Sequence, residues 1–210
     1  NLELKNIIIE ENRGSYNGGL LVIRSANFIM DGVQVRNNEN TYSEHFGPGG
    51  AGLTIMNSSA IIRNTSFYEN DTDTYKGNFS NYATVSVEGS DLRFENVEIR
   101  DNIGRGSYLY ISTVEFIKTI ISGNSIVATN IECDGSYDCD YGGGLLLRDT
   151  ESKFYDVIID GNYARDEGGG IFQTGCVGDF IFHNVRVTNN IADWSEGEGG
   201  GLRLSLAGCD

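Results

Sequence analysis

The chain has 210 residues, with 28 glycines, a single proline and a net charge of −15 from 30 acidic against 15 basic side chains. That acidity excludes the basic surface that nucleic acids and anionic membranes require, and one proline without a Gly-X-Y period excludes collagens and proline-rich linkers. No apolar run approaches the roughly 18 residues of a membrane-spanning helix, so membrane insertion is not expected.

In chain order the sequence writes one unit seven times. The first unit places Leu2 and Leu4 on one alternating run, Asn6 at a break, Ile7 and Ile9 on a second run, and Asn12 after it; "GGLLVI" (18–23) follows. The second repeats this with Phe28, Met30, Gly32, Val33, Val35 and Asn38, then a loop at 39–49 and "GAGLTI" (50–55). The third has Ala60, Ile62, Asn64, Thr65, Phe67 and Asn70, a loop at 71–82 and "ATVSV" (83–87). The fourth has Leu92, Phe94, Asn96, Val97, Ile99 and Asn102, then "SYLYI" (107–111). The fifth has Val114, Phe116, Lys118, Thr119, Ile121 and Asn124, a loop at 125–141 and the phrase "GGGLLLRDT" from Gly142. The sixth has Ser152, Phe154, Asp156, Val157, Ile159 and Asn162 before "GGGIFQTG" from Gly168. The seventh has Phe180, Phe182, Asn184, Val185, Val187 and Asn190, a loop at 191–198 and "GGGLRLSL" from Gly199.

The anchoring asparagines Asn12, Asn38, Asn70, Asn102, Asn124, Asn162 and Asn190 are 26, 32, 32, 22, 38 and 28 residues apart, an irregular period typical of a solenoid with variable loops. Of the 28 positions three, five, eight and ten residues before them, 25 are apolar, against 39% in the whole chain; the exceptions are Thr65, Thr119 and Ser152. Pairs two apart follow the strand period, and the three-residue step between them marks a corner six residues before each anchor. Asparagine and glycine, frequent at that corner, tolerate a left-handed backbone. With the run after each loop this makes three short strands per coil. The fold class expected is all-β: a parallel β-helix of about seven coils, stacked at about 4.8 Å into a rod roughly 34 Å long. The triple glycines precede a strand, whereas a phosphate-binding glycine loop opens a helix; they are expected to let the returning loop turn sharply and lie close to the next coil. The anchors are expected to point inward as an asparagine ladder.

The phrases "GGGI", "GGGL" and "FYEN" (67–70) resemble the glycine-glycine-x-aliphatic and Phe-x-x-Asn repeats of polymorphic outer-membrane-type passenger domains. More broadly, the chain resembles the pectin-lyase-like right-handed parallel β-helix superfamily, which implies the right-handed sense of the coil. The fold hosts lyases, hydrolases, tailspikes and adhesins, so it does not select a function. Polygalacturonase-like relatives carry Asn-x-Asp, Asp-Asp, His-Gly and Arg-x-Lys motifs for inverting hydrolysis; the last three are missing here, and His45 and His183 stand in unrelated contexts. Pectate-lyase-like relatives use an arginine and aspartate-bound calcium, whereas basic residues here are few and scattered. No catalytic residue is assigned on this basis.

Three further features carry chemistry. In "ECDGSYDCDYGGG" (132–144), Asp134, Ser136, Asp138 and Asp140 alternate oxygen ligands as calcium loops do, although the sixth-position glycine and twelfth-position glutamate of an EF-hand are missing. The alternative is a solvated acidic loop. Cys133 and Cys139 suit a small disulfide-closed loop, and Cys176 and Cys209 stand in matched phrases one coil apart, within disulfide reach; a four-thiolate zinc site is the competing reading, without the usual spacing. The sequons at Asn57, Asn64, Asn70 and Asn78 cluster on one stretch. Asn57 and Asn78 are expected in exposed turns, Asn64 in a corner, and Asn70 inward and unmodified. Paired cysteines and sequons point to an extracellular, secreted glycoprotein.

Residues 1–210 read as a single β-helix domain, a segment of a longer chain or polymer: Asn1 begins without a methionine, and Leu2 and Leu4 already occupy core positions. Outward isoleucines at Ile8, Ile120 and Ile158, and at Ile29, Ile61 and Ile181, fit either strand propensity or a lateral packing surface. The expected function is a non-catalytic structural or adhesive rod of a surface filament or adhesin. Its partners would be copies of itself, adjoining β-helix segments, glycans or a surface protein. The alternative is a carbohydrate-active lyase or hydrolase, or a carbohydrate-binding module.

Overall fold

A computed structural model describes residues 2–15, 17–41, 49–72, 82–126, 141–175, 178–193 and 199–205. The chain is a parallel β-helix. Three seven-stranded parallel sheets run the length of the stack, with coils adjacent in the order in which the chain writes them. Sheet 1 comprises Leu2–Lys5, Phe28–Asp31, Ser59–Arg63, Asp91–Glu95, Thr113–Ile117, Glu151–Tyr155 and Phe180–His183. Sheet 2 comprises Ile8–Glu10, Gln34–Arg36, Ser66–Tyr68, Glu98–Arg100, Ile120–Ser122, Ile158–Asp160 and Arg186–Thr188. Sheet 3 comprises Leu20–Ile23, Gly49–Met56, Tyr82–Glu88, Ser107–Tyr110, Leu145–Arg148, Ile171–Thr174 and Leu202–Ser205. A short fourth ladder, which the sequence reading lacked, follows the asparagines: Glu39 pairs with Asp71, Asp71 with Ile103, Ile103 with Ser125, and Ser125 with Tyr163.

Alternation along each strand turns the repeated apolar positions inward. Phe94, Phe116, Phe154 and Phe182 stack face to face with centroids 4.8–5.0 Å apart, the coil spacing itself. Opposite them lie Leu53, Ile55, Val85, Val87, Leu109, Leu145 and Leu147 of sheet 3, all fully buried. The three polar exceptions fit because each hydroxyl donates to a carbonyl of its own chain two residues back: Thr65 to Arg63 at 2.8 Å, Thr119 to Ile117 at 3.2 Å and Ser152 to Thr150 at 3.5 Å.

Each coil turns at three corners, and among the described residues each corner has a left-handed residue. The first is the corner expected from the sequence: Asn6, Gly32, Asn64, Asn96, Lys118, Asp156 and Asn184 have φ between 49 and 67°. The second immediately precedes each anchor, at Glu11, Asn37, Glu69, Asp101, Gly123, Gly161 and Asn189, with φ of 53–64°. The third leaves sheet 3 at Arg24, Asn57, Gly89, Ile111, Asp149 and Gly175, with φ of 46–77°.

Ile111 is the least suited of these residues, a β-branched side chain at φ 46° that is 53% exposed. Ile111→Gly, which restores the residue type of Gly89 in the preceding coil, is expected to stabilise by about 0.5–1 kcal/mol, since a left-handed backbone penalises a Cβ. Thermal unfolding should shift upward by about 2 °C; a downward shift would mean that Ile111 packs usefully despite its exposure.

The anchor asparagines form a hydrogen-bonded ladder, exposed at Asn12 and buried from Asn38 to Asn162. The Asn12 amide donates to Asn38 Oδ1 at 2.8 Å, Asn38 to Asn70 at 3.0 Å, Asn70 to Asn102 at 3.1 Å, Asn102 to Asn124 at 2.8 Å, and Asn124 to Asn162 and Asn162 to Asn190 at 2.9 Å each. Every Oδ1 from Asn38 onward also accepts the backbone N–H of the preceding anchor. Each amide from Asn38 onward also reaches a sheet 2 carbonyl of the coil before, as Asn70 does to Val35 at 3.0 Å. A buried polar stripe is thus fully paired, so it stabilises instead of costing desolvation.

A second ladder stands at the third corner. The N–H groups of Ser25, Ser58 and Ser90 donate to the hydroxyls of Ser58, Ser90 and Ser112 at 3.0, 3.0 and 3.2 Å. Those hydroxyls donate in turn to Met56, Glu88 and Tyr110 carbonyls, each at 2.8 Å.

Candidate functional site

The alternation that fills the core also sets what sheet 1 shows to solvent. One outward column reads Ile29, Ile61, Arg93, Glu115 and Lys153, each opposite the next in register. Beside it runs a polar column of Ser59, Asp91 and Thr113. Together with Asn27 they line an open groove of about 480 Å³ that follows the rod axis, its floor formed by Phe28, Ala60, Leu92 and Val114. Ser59 and Thr113 give it short side chains.

Its charges are matched within strands and across coils. Arg93 lies 2.6 Å from Glu115 and 3.6 Å from Glu95, and Lys153 is 2.7 Å from Glu151 and 4.0 Å from Asp179. The Glu151 carboxylate, as hydrogen-bond acceptor and as charge, holds the Lys153 ammonium above its ordinary pKa. An apolar strip, a rim of hydroxyl, amide and carboxylate groups, and paired cations suit an extended, uncharged polymer lying along the axis better than a polyanion.

A smaller polar groove of about 260 Å³ follows the first corner, lined by Gln34, Asn64, Ser66, Asn96 and Glu98 among others. Here Asn96 donates to Asn64 Oδ1 at 3.0 Å, and Asn64 to Asp31 Oδ1 at 2.9 Å. That hydrogen bond, helped by Arg63 at 3.1 Å, holds the Asp31 carboxyl below its ordinary value of 3.8. A depressed carboxylate contributes stability that is complete above its unfolded-state pKa and is lost as pH falls through the folded value. The thermal advantage of the natural chain over Asp31→Asn is therefore expected to be full at neutral pH and to close as pH drops below 3.8. An advantage that persisted in acid would assign it to shape, not ionisation.

The remaining sequence expectations are distributed as follows. Asn57 and Asn64 stand exposed on corners, and Asn70 is fully buried. His183 is exposed at the end of a sheet 1 strand, its ring 6.2 Å from Tyr155. Ile8 is 53% exposed and Ile61 39%, whereas Ile29, Ile120 and Ile158 are half-buried. His45, Asn78, Cys133, Asp134, Ser136, Asp138, Cys139, Asp140, Cys176 and Cys209 lie outside the described residues.

One feature was not anticipated. Tyr108, Leu146 and Phe172 point away from the core on sheet 3 yet are almost wholly buried, in a satellite cluster with Ala83, Tyr110 and Tyr141. Tyr141 stacks on Phe172 at 4.7 Å, and the buried Arg105 donates through Nε to the Tyr141 carbonyl at 2.8 Å. The signal was present in the unbroken apolar runs "LLL" and "YLY", the mark of a strand covered on both faces.

No protein-family model matches the chain, and neither a curated protein nor a solved structure is significantly similar to it.

Proposed function

We propose that this chain is a non-catalytic rod of an extracellular structural or adhesive assembly, with the coils as a stiff spine and the loops as its partner-facing surface. The observation that carries the reading is the placement of the insertions. Loops at 39–49, 71–82, 125–141 and 191–198 all enter between an anchor asparagine and the following sheet 3 strand, while sheets 1 and 2 keep their register across every one of them. A constant spine with one variable edge is suited to display. The asparagine ladder is directional, each amide donating to the Oδ1 of the following coil. A further coil, whether from the same polypeptide or from a second copy, would join with the same polarity, which suits self-association into a filament. A calcium ion held by the acidic loop at 134–140 and disulfides within and between coils would fit the same extracellular setting.

The test is negative-stain electron microscopy of native material with and without a calcium chelator. Filaments with an axial repeat near the rod length of roughly 34 Å are expected, and breakup by chelator would give the acidic loop its role. Separate short particles would overturn the filament.

The sheet 1 groove favours one second reading, a carbohydrate-binding module or a carbohydrate-active enzyme that takes a neutral polysaccharide along the coils. Release of reducing ends from soluble polysaccharides would establish that reading and end the non-catalytic one.

A further inference from the structure

Three of the sequons fall on described residues, and the fold places them in two different phases of the coil. In Asn57-Ser58-Ser59 and Asn64-Thr65-Ser66 the asparagine is itself the left-handed corner residue, with φ of 48 and 50°. Its side chain is exposed, the middle residue turns into the core, and the final serine opens the next strand. In Asn70-Asp71-Thr72 the corner residue is Glu69, so the asparagine comes one position later and is the one turned inward. A one-residue change of phase moves a side chain from one face to the other.

The amides differ accordingly. Asn64 Nδ2 uses one hydrogen, toward Asp31 Oδ1, and no hydrogen bond of the Asn57 side chain occurs among the described residues. Asn70 Nδ2 is fully buried and donates to Val35 O at 3.0 Å and to Tyr68 O and Asn102 Oδ1 at 3.1 Å each. N-glycosylation replaces one amide hydrogen: Nδ2 bonds to the anomeric carbon of a polyprenyl diphosphate-linked oligosaccharide, the anomeric carbon–oxygen bond breaks, the lipid diphosphate leaves and a proton is released. At Asn57 or Asn64 the new bond points to solvent. At Asn70 it would remove a ladder hydrogen and drive a sugar between coils.

We infer that Asn57 and Asn64 are the glycan acceptors of this region, and that a glycan on Asn70 and the folded state are mutually exclusive. A chain modified at Asn70 before it folds is then lost to the folded pool. The inference rests on the extracellular reading only in supposing that the chain meets a glycosyltransferase, and it is tested in a host that supplies one.

The full chain would be expressed through a eukaryotic secretory pathway, and glycopeptides mapped separately in the secreted and retained pools. Secreted protein is expected to carry glycans at Asn57 and Asn64 and none at Asn70, with any Asn70 glycan confined to the retained pool. Ser59→Ala and Ser66→Ala should each remove one glycan without loss of secretion. Thr72→Val removes the Asn70 sequon while leaving the ladder asparagine in place, and should empty the retained pool of any Asn70-modified chain. A glycan on Asn70 in secreted, cooperatively melting protein would overturn the inference, as would secreted protein bare at both Asn57 and Asn64. Failure of the extracellular reading would show elsewhere, in the location of the native protein.

Discussion

Asn124→Leu is expected to lower stability by about 4 kcal/mol or more, enough to unfold a protein of ordinary margin at moderate temperature. Leucine keeps the branched shape of asparagine and leaves no cavity, so the loss comes from the hydrogen bonds, with some overpacking from the bulkier methyls. The Asn124 amide donates to Ile99 O and to Asn162 Oδ1, each at 2.9 Å, and its Oδ1 accepts from Asn102 Nδ2 at 2.8 Å and Asn102 N at 3.4 Å. All of this is buried. Removing the side chain strands the Asn102 backbone N–H and one Asn102 Nδ2 hydrogen and takes a donor from Ile99 O and Asn162 Oδ1 where no water reaches, and each buried unpaired group costs about 1–3 kcal/mol. Asn12→Leu is the control: Asn12 is exposed, and its loss is expected to cost about 1 kcal/mol or less. Denaturant midpoints of the two variants decide the matter. Equal losses would show that the ladder is a passive stripe, not a cooperative one.

Gly169→Ala is expected to be comparably damaging, by about 3 kcal/mol or more, because the added methyl would overlap the carbonyl oxygens of Ile191 and Gly200. Both belong to the next coil: Gly200 accepts the Gly170 N–H just before the sheet 3 strand, and Ile191 is paired with Tyr163 in the fourth ladder, so neither can yield without opening a ladder. The same substitution at Gly161 meets nothing within 4 Å and forfeits only the left-handed preference at φ 64°, about 1 kcal/mol. A difference of several degrees in melting temperature should separate them. In the phrase "GGGIFQTG" the first glycine supplies the turn, at φ 61°, while the second and third supply proximity. The triple glycine is therefore two requirements written together, and the first position meets both, since a Cβ on Gly168 would also overlap the Ile171 carbonyl.

How much of this was legible can be argued residue by residue. The first corner was readable because Asn6, Gly32, Asn64, Asn96 and Asn184 are residues that prefer a left-handed backbone. The second and third corners show the same preference at Asn37, Gly123, Gly161 and Asn189 and at Asn57, Gly89 and Gly175, but Glu11, Glu69, Arg24 and Ile111 interrupt it and are held there by the neighbouring coils. The serine ladder was legible in principle, for Ser58, Ser90, Ser112 and Thr150 each stand twelve residues before an anchor. Serine is too common in turns for that spacing to stand out without the hydrogen bonds.

The grooves were legible only in part: Ile29 and Ile61 read as outward positions of one strand, but not as the wall of a groove. Arg93, Glu115 and Lys153, which continue the column, share no residue type with these or with one another, and successive members are separated by 22–38 residues. Only register makes them one surface.

What the sequence alone determined was the repeat, the three strands of each coil, the inward face and the asparagine ladder. These follow from local periodicity: a strand buries every second residue, and each coil must present the same apolar column to its neighbours. What tertiary structure decided was what is measured across coils: which residues other than asparagine and glycine are forced left-handed, which glycines lie against a neighbour's carbonyl, and where the outer face of sheet 3 is covered. Those properties depend on contacts at about 4.8 Å between residues distant in the chain, and no window of sequence contains both partners.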